Sequence, residues 1–332
     1  MSYNISISIN WQGKFDFKAL IDRARVADNA GVHSIWVAEA WGRDAFTLLT
    51  LIAEHTQYAR LGSAIVNTYS RTPAALAQHF ATLDELSAGR MMIGLGTSGP
   101  NVIEHFHGVP FNPPLTRMIE YVEIINSLIA GTPLNYDGKL FKLSRGFTLR
   151  FEPPRKHIPI FIASLNRRSV EFTAERADGW LPVRIPLSRL GAAIAEFRSL
   201  AARFGRDGHS LLIRAPGTVH VTDNPARARA AHAGTLAFYV ARMGTFYADQ
   251  LTRMGFGDEV ANIKNAWAAG GSQAGTEAVS ARLLDEIDYV GDLAGARDRL
   301  AAQAAAGVDI HPVEVDASSP AELERTLSAL AA

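Results

Sequence analysis

The sequence contains no cysteine, which excludes disulfides, thiolate metal sites and cysteine nucleophiles and suits a reducing compartment such as the cytoplasm. It also has no excess charge, since 33 Lys and Arg balance 33 Asp and Glu. No net field therefore favours nucleic acid or an anionic membrane as a partner. No apolar run approaches the about 20 residues of a spanning helix. The start, Met1–Asn10, lacks the segments of a signal peptide. We expect a cytoplasmic protein with a small-molecule substrate.

What the chain does have is the composition of a folded enzyme, with 48% hydrophobic and 20% charged residues over 332 positions. Short β-prone runs alternate with helical patterns, which favours parallel strands joined by helical crossovers. The predicted strands are Ile5–Ile9, Ser34–Val37, Leu61–Val66, Met91–Leu95, Ile158–Ile162, Gly179–Val183, Ile213–Val221 and Asp309–Val315. Eight strands close a barrel, so the fold class expected is α/β, a (β/α)8 TIM barrel.

Boundary signals agree with this alternation. Asp44 precedes a predicted helix over Ala45–Tyr58, Thr72-Pro73 opens Ala74–Leu86, and Gly31 ends a helical run from Phe17. Within Leu134–Leu143, Asp137-Gly138 between β-prone flanks predicts a hairpin with a type I′ turn. Residues 223–286 form a helix-rich insertion at a βα loop of a single domain spanning 1–332, placed where lids occur.

One glycine motif points in a different direction. Gly94, Gly96 and Gly99 fit G-x-G-x-x-G after a strand, which is the dinucleotide fingerprint. That fingerprint belongs to a first βα unit and opens a helix directly, whereas three units precede it here and Pro100 leads into a predicted loop. The glycines then either admit a flat cofactor to the backbone or only shape a turn.

Two other chemistries lack support. His105-x-His107 on a loop without a clear carboxylate partner does not predict a metal site, and we expect none. Ser98 stands outside the G-x-S-x-G context of a hydrolase nucleophile.

Several runs together resemble the luciferase-like monooxygenase superfamily, and most closely its coenzyme F420-dependent branch, which includes methylenetetrahydromethanopterin reductase. They are 35–46, 61–67, 70–73, 83–90, 94–100, 106–111, 117–125 and 177–182. The resemblance covers residues 1–185 strongly and the remainder weakly.

The resemblance implies a cofactor seat at the ends of the third and fourth strands. A non-prolyl cis peptide behind the cofactor ring would fall at Ala64-Ile65. Asn67 would bind the pyrimidine edge of the cofactor, and Thr97, Ser98 and Gly99 would offer hydroxyl and amide donors.

After the fifth strand, Ala163, Ser164, Leu165 and Asn166 lead into a helix near Arg167, whose start suits an anionic tail. This segment departs from the family that the chain resembles, in which Gly and Pro commonly stand at the positions of Asn166 and Arg167.

Candidate catalytic groups are Glu39, Glu104 and His107. Glu39 matches an acidic position often followed by histidine in the family, but Ala40 follows it here. Glu39 either contacts the cofactor or relays a proton, or it pairs with Arg43 or caps the next helix. Glu104, His105 or His107 would then supply the acid.

The leading hypothesis is hydride transfer between C5 of coenzyme F420 and an imine, enone or methylene-type substrate, with the protein orienting the ring. One alternative is an FMN-dependent monooxygenase of the same fold. Another is a barrel that has lost catalysis and serves as a binding or assembly subunit. A homodimer is expected by analogy.

Overall fold

The computed structural model describes residues 2–9, 13, 14 and 16–332. The chain folds into two compact units, one formed by Ile7–Leu181 and the other by the residues up to Ser6 together with Pro182–Ala332. In the described ranges, no helix is long and apolar enough to cross a membrane. The organisation as one domain with an insertion stays a prediction.

In the first unit, strands and helices alternate. The strands are β1 (Ile5–Ile9, whose first two residues fall in the second unit), β2 (Ser34–Val37), β3 (Arg60–Ser63), β4 (Val66–Asn67), β5 (Met91–Gly96), β6 (Leu134–Asp137), β7 (Lys142–Phe147), β8 (Ile160–Ile162) and β9 (Gly179–Trp180). The helices are α1 (Phe17–Asn29), α2 (Ala45–His55), α3 (Pro73–Leu86), α4 (Pro100–His105), α5 (Pro114–Ile129) and α6 (Arg167–Arg176).

The central sheet of the first unit has the order β9-β8-β5-β3-β2-β1, and β4 pairs with β5. The pairings of β2 with β3, β3 with β5, β5 with β8 and β8 with β9 are parallel. Strands β2, β5 and β8 are buried along their whole length, as expected for parallel strands covered on both faces. The carboxyl ends of these strands therefore lie at one edge.

Predicted helix starts are confirmed by their caps. The Asp44 carboxylate accepts a hydrogen bond from the Thr47 amide at 2.7 Å, and Thr72 Oγ1 accepts one from the Ala75 amide at 3.2 Å, with Pro73 in the first turn. Helix α2 ends at His55, three residues earlier than predicted.

All eight predicted strands overlap strands of the structure, but two were expected to be continuous and are not. Leu61–Val66 is interrupted at Ala64-Ile65, and Ile213–Val221 is interrupted between its ends. Another strand, Tyr289–Gly291, was not predicted because three residues are too short to show a period.

The predicted hairpin is confirmed, but its turn is not the type I′ turn expected at Asp137-Gly138. Strands β6 and β7 pair with Asp137 opposite Lys142, which leaves a four-residue loop, 138–141. The buried carboxylate of Glu120 accepts hydrogen bonds from the amides of Lys139, Leu140 and Phe141 and holds this loop, so a distant side chain sets the turn.

The second unit follows with α7 (Leu187–Arg203), a 3₁₀ turn (Gly208–Ser210), β10 (Leu212–Ile213), β11 (Val219–Val221), α8 (Pro225–Arg242), α9 (Phe246–Leu251), a π-helical turn (Thr252–Phe256), α10 (Gly257–Glu277), α11 (Ala281–Ile287), β12 (Tyr289–Gly291), α12 (Leu293–Ala305), β13 (His311–Val315) and α13 (Pro320–Ala331). Strand β11 pairs in parallel with both β12 and β13.

Residues 223–286 are helix-rich as predicted. Helices α8 to α11 bury a hydrophobic cluster of their own, including Leu236, Leu251, Phe256, Ile263 and Leu283. Of the aromatic residues in this segment, Phe256 is buried in the cluster, whereas Phe246 is 43% exposed. The segment is therefore a packed helical layer, and its service as a lid stays a prediction.

The glycine motif has a packing explanation in the first unit. A Cβ on Gly94 would lie 1.6 Å from the backbone oxygen of Ser63. The Ser63 hydroxyl accepts a hydrogen bond from the Gly94 amide and donates one to the Gly94 carbonyl, both at 2.9 Å. Neither backbone can move aside without breaking these bonds, so Gly94 is required by the approach of β3 to β5.

We predict that Gly94→Ala destabilises the protein by about 3 kcal/mol or more, the upper range for overpacking a closed core. Gly99→Ala is the matched control, because a Cβ there meets nothing within 4 Å and its φ of −117° suits any residue. Urea unfolding followed by circular dichroism measures both. Equal stability of the two variants would contradict the packing explanation.

Candidate active site

The candidate site begins between the end of β3 and the start of β4. The Ala64-Ile65 peptide is cis, as the family resemblance implied. Both side chains are half-buried, whereas Ser63 and Val66 on either side are buried. The Ala64 amide donates to the Val37 carbonyl at 2.8 Å, and the Ile65 carbonyl accepts from the Glu39 amide at 3.2 Å. A backbone edge is thus held in place and left partly open.

Asn67 follows this edge and is buried. Its Oδ1 accepts hydrogen bonds from the amides of Tyr69 and Ser70, at 2.9 and 2.8 Å. Its Nδ2 lies 3.5 Å from His107 Nε2. The amide oxygen is therefore committed to the turn, and the donor end of the side chain remains for another contact.

Thr68 was missed by sequence reasoning. Its hydroxyl is fully buried and has no hydrogen-bond partner among the described residues, although its amide donates to the Gly96 carbonyl at 3.1 Å. A buried hydroxyl without a partner is costly and points to an absent polar group. A threonine in a β-prone run gives no sequence signal of this kind.

The glycine-rich loop lies beside the same edge. A Cβ on Gly96 would lie 2.8 Å from Ile65 Cγ1, so only glycine lets the two strand ends meet. Thr97 and Ser98 are half-buried, and Ser98 has a left-handed φ of +56°. The prediction of a loop directly after Gly99 is wrong, because the short helix α4 begins at Pro100. Proline is well suited to that first helical position, since it needs no amide partner there.

Of the four predicted binding residues after β8, two are occupied elsewhere. The Ser164 hydroxyl accepts from Thr173 Oγ1 at 2.9 Å. Asn166 Oδ1 caps α6 by accepting from the Ser169 amide at 3.0 Å. Ala163 and Leu165 are half-buried, and the Ala163 amide donates to the Leu95 carbonyl. The helix begins at Arg167 as predicted, so its first amides lack internal acceptors.

Glu39 is held in an ion-pair network. Its two carboxylate oxygens accept from Arg71 at 2.6 and 3.1 Å, and Oε2 also accepts from the Ala45 amide at 3.0 Å. The helix cap is as anticipated, but the cation is Arg71 and not Arg43, which donates to the Gly13 carbonyl. Both oxygens of this carboxylate are thus occupied by donors within the chain.

Asp44 completes the network by contacting the same guanidinium. Burial alone would raise the pKa of Asp44, but hydrogen bonds from Thr47 and the charge of Arg71 outweigh burial and lower that pKa. The guanidinium also lies 4.9 Å from the centre of the Phe46 ring. Arg71 thus ties the end of β2 to the start of α2.

The three candidate acids after β5 differ in exposure and in their neighbours. Glu104 is exposed on α4 and accepts a hydrogen bond from the Phe111 amide at 3.2 Å. His105 is exposed, whereas His107 is half-buried and lies beside Asn67. Of the three, His107 is the one brought to the strand-end edge.

Replacing Arg71 by methionine is predicted to destabilise the protein by about 3 kcal/mol, the lower range for removing one partner of a buried pair. The reason is that the Glu39 carboxylate, with a side chain 8% exposed, would lose its cation partner. Urea unfolding measures the loss, and Arg25→Met on the exposed face of α1 is the control, expected within about 0.5 kcal/mol of wild type. A loss no larger than that of the control would mean that the pair is not structural.

Comparisons with known proteins identify the family of the chain. A sequence profile of the luciferase-like monooxygenase family matches residues 4–310. A protein of Mycobacterium tuberculosis named as a coenzyme F420-dependent oxidoreductase is 34% identical over 321 residues, covering 92% of each chain. The 5,10-methylenetetrahydromethanopterin reductase of Archaeoglobus fulgidus is 28% identical over 302 residues, covering 89% of this chain and 88% of that one.

Among solved structures, the coenzyme F420-dependent tetrahydromethanopterin reductase of Methanopyrus kandleri superposes with a TM-score of 0.84. It is 22% identical and covers 100% of this chain and 98% of its own, a likeness that carries the fold. The predicted barrel-type α/β fold and the oxidoreductase class are confirmed. The chain belongs to the luciferase-like monooxygenase family.

Proposed function

We propose that the chain is a coenzyme F420-dependent oxidoreductase that transfers a hydride between the deazaflavin C5 and an unsaturated carbon of a small molecule. The observation that carries the proposal is the half-open Ala64-Ile65 edge beside the glycine-rich loop. Relatives named for coenzyme F420 support the choice of cofactor.

The residues at this edge fit a flat ring. Ala64 and Ile65 would lie against its face, because they are partly exposed between buried strand segments. A Cβ on Gly99 would meet no atom of the described residues within 4 Å, so there is open space beside the loop. Asn67 Nδ2 and the hydroxyls of Thr97 and Ser98 would serve the polar edge of the ring.

The start of α6 would hold the anionic tail. The first amides of Arg167 and Arg168 have no acceptor within the helix, and both side chains are exposed cations. Asn166 would cap the helix and not contact the tail itself, because its side-chain oxygen already accepts a hydrogen bond from the Ser169 amide.

When bound, the reduced cofactor supplies a hydride to the electrophilic carbon of a C=N or C=C bond. The protein must then give a proton to the neighbouring atom, so that the substrate gains two hydrogens. We assign this role to His107, because an imidazole donates protons near neutral pH. In this role the imidazolium form gives one ring proton to the substrate and is left as the neutral ring, whose Nε2 lies 3.5 Å from Asn67 Nδ2.

Glu39 is then a positioning residue, because its carboxylate accepts hydrogen bonds from Arg71 and from the amide at the start of α2. Glu104 stabilises the loop up to Phe111. A homodimer and a cytoplasmic location complete the proposal by analogy with the family.

The cofactor choice is tested by fluorescence titration of the purified chain with F420 and, separately, with FMN. We expect saturable F420 binding, and we expect Gly99→Phe to weaken it by about tenfold or more because a ring would fill the open space beside the loop. Gly99→Ala is the matched control and should bind like wild type. Tight FMN binding without an F420 response would favour the monooxygenase alternative. Binding of neither cofactor would favour the non-catalytic one.

The proton donor is tested with His107→Gln in the reoxidation of reduced F420 by cyclohexenone and by a cyclic imine. We expect the turnover rate to fall by about 10²-fold or more, as for loss of a general acid. The dissociation constant of F420 should stay unchanged. His105→Gln, an exposed neighbour, is the control and should keep wild-type turnover. Equal rates in the two variants would remove His107 from the mechanism.

A further inference from the structure

A second group of chemically active side chains lies in the second unit and has no part in the proposed reaction. His220 is on β11, Glu314 is on β13, and His232 is on α8. The parallel register pairs His220 directly with Glu314, so their side chains emerge side by side. Both imidazoles are largely buried, and the Glu314 side chain is 51% exposed.

Three atoms of this group converge. His220 Nδ1 lies 3.2 Å from His232 Nε2, and Glu314 Oε2 lies 3.9 Å from each of them. These three distances define a triangle whose centre lies about 2.1 Å from each atom. About 2.1 Å is also the length of a bond from zinc to a histidine nitrogen or a carboxylate oxygen.

Each imidazole has a carboxylate near its other ring nitrogen, and in the described structure only the contact of His232 is a hydrogen bond. His232 Nδ1 contacts Asp288 Oδ2 at 3.0 Å, and His220 Nε2 lies 3.3 Å from Asp316 Oδ2. Asp288 is itself fixed, because its Oδ1 accepts from the Thr218 amide at 2.8 Å. Metal-binding histidines usually have such outer carboxylates, which orient the ring and leave the inner nitrogen with its lone pair.

With only one proton on each imidazole, the two rings cannot both make complementary contacts. With Nδ1 of His232 protonated toward Asp288, its Nε2 presents a lone pair to His220 Nδ1. If His220 protonates that Nδ1, its Nε2 turns a lone pair to the Asp316 carboxylate, and this buried nitrogen has no hydrogen bond in the described structure. If it protonates Nε2 instead, two lone pairs face each other at 3.2 Å. A positive charge between the rings, carried by a metal ion or by a second proton on His232, removes the conflict, and the distances above show that a metal ion fits.

We propose that His220 Nδ1, His232 Nε2 and Glu314 Oε2 bind a zinc ion. Two imidazoles and one carboxylate suit zinc and other late first-row cations, and they do not suit Mg²⁺ or Ca²⁺, which take oxygen ligands. The half-exposed carboxylate leaves the fourth position to water. The ion would join α8 to β11 and β13, and so would anchor the start of the helix-rich segment.

The test is isothermal titration of metal-free protein, prepared by dialysis against EDTA, with zinc chloride. We expect one equivalent to bind and to raise the melting temperature, because the ion binds the folded chain in preference to the unfolded one. Magnesium and calcium chloride should give no response. Cobalt chloride should give the visible absorption of a four-coordinate site.

Glu314→Gln and His232→Gln should each weaken zinc binding by about 100-fold, and Asp316→Asn by about 10-fold through the lost outer contact. His209→Gln and Glu324→Gln, both exposed and outside this group, are the controls. Glu314 is half-exposed, so its variant is expected to fold, which circular dichroism checks. Absence of a one-equivalent site in wild type, or unchanged binding in both ligand variants, would overturn the proposal.

Discussion

The close approach of Ser63 to Gly94 is the constraint on which the proposed site depends. One serine hydroxyl bonds both the amide and the carbonyl of Gly94, and the two backbones leave no room for a Cβ. Because β3 and β5 are fixed there, the residues just beyond them have defined positions. Ile65 then packs against Gly96 at the strand ends. The half-open edge follows from this packing.

The ion-pair network around Arg71 extends the same order to the next strand. It fixes Glu39 at the end of β2 against the start of α2, with Asp44 as the helix cap. Charges of this kind are expensive to bury alone, so the three groups depend on one another. Glu39, which the sequence analysis considered as a catalytic acid, holds the end of β2 in place in this structure.

The sequence predicted much of the backbone because periodicity and caps are local signals. Asp44, Thr72 and Asn166 were each followed by the helix that their capping chemistry requires. What it did not predict depends on contacts distant in sequence. The turn after Asp137 is set by Glu120, and the partner of Glu39 is an arginine 32 residues away.

The candidate site shows the same division. Family resemblance located the cis peptide at Ala64-Ile65, and the structure has it there. The individual roles were harder to predict, because a side chain is available to a ligand only if no neighbour has claimed it. Ser164 and the oxygen of Asn67 are already hydrogen-bonded within the chain, whereas the hydroxyl of Thr68 has no partner among the residues that the structure describes. Whether a side chain is already hydrogen-bonded can be determined only from the positions of both partners.

The central claim is that the edge at Ala64-Ile65 carries the redox cofactor. A crystal structure of the chain soaked with F420 tests it most directly. The deazaflavin ring is expected in van der Waals contact with the Ala64-Ile65 peptide, with its polar edge toward Asn67 and Thr97. A ring bound away from these residues, or crystals saturated with F420 that show no ring at this edge, would contradict the account.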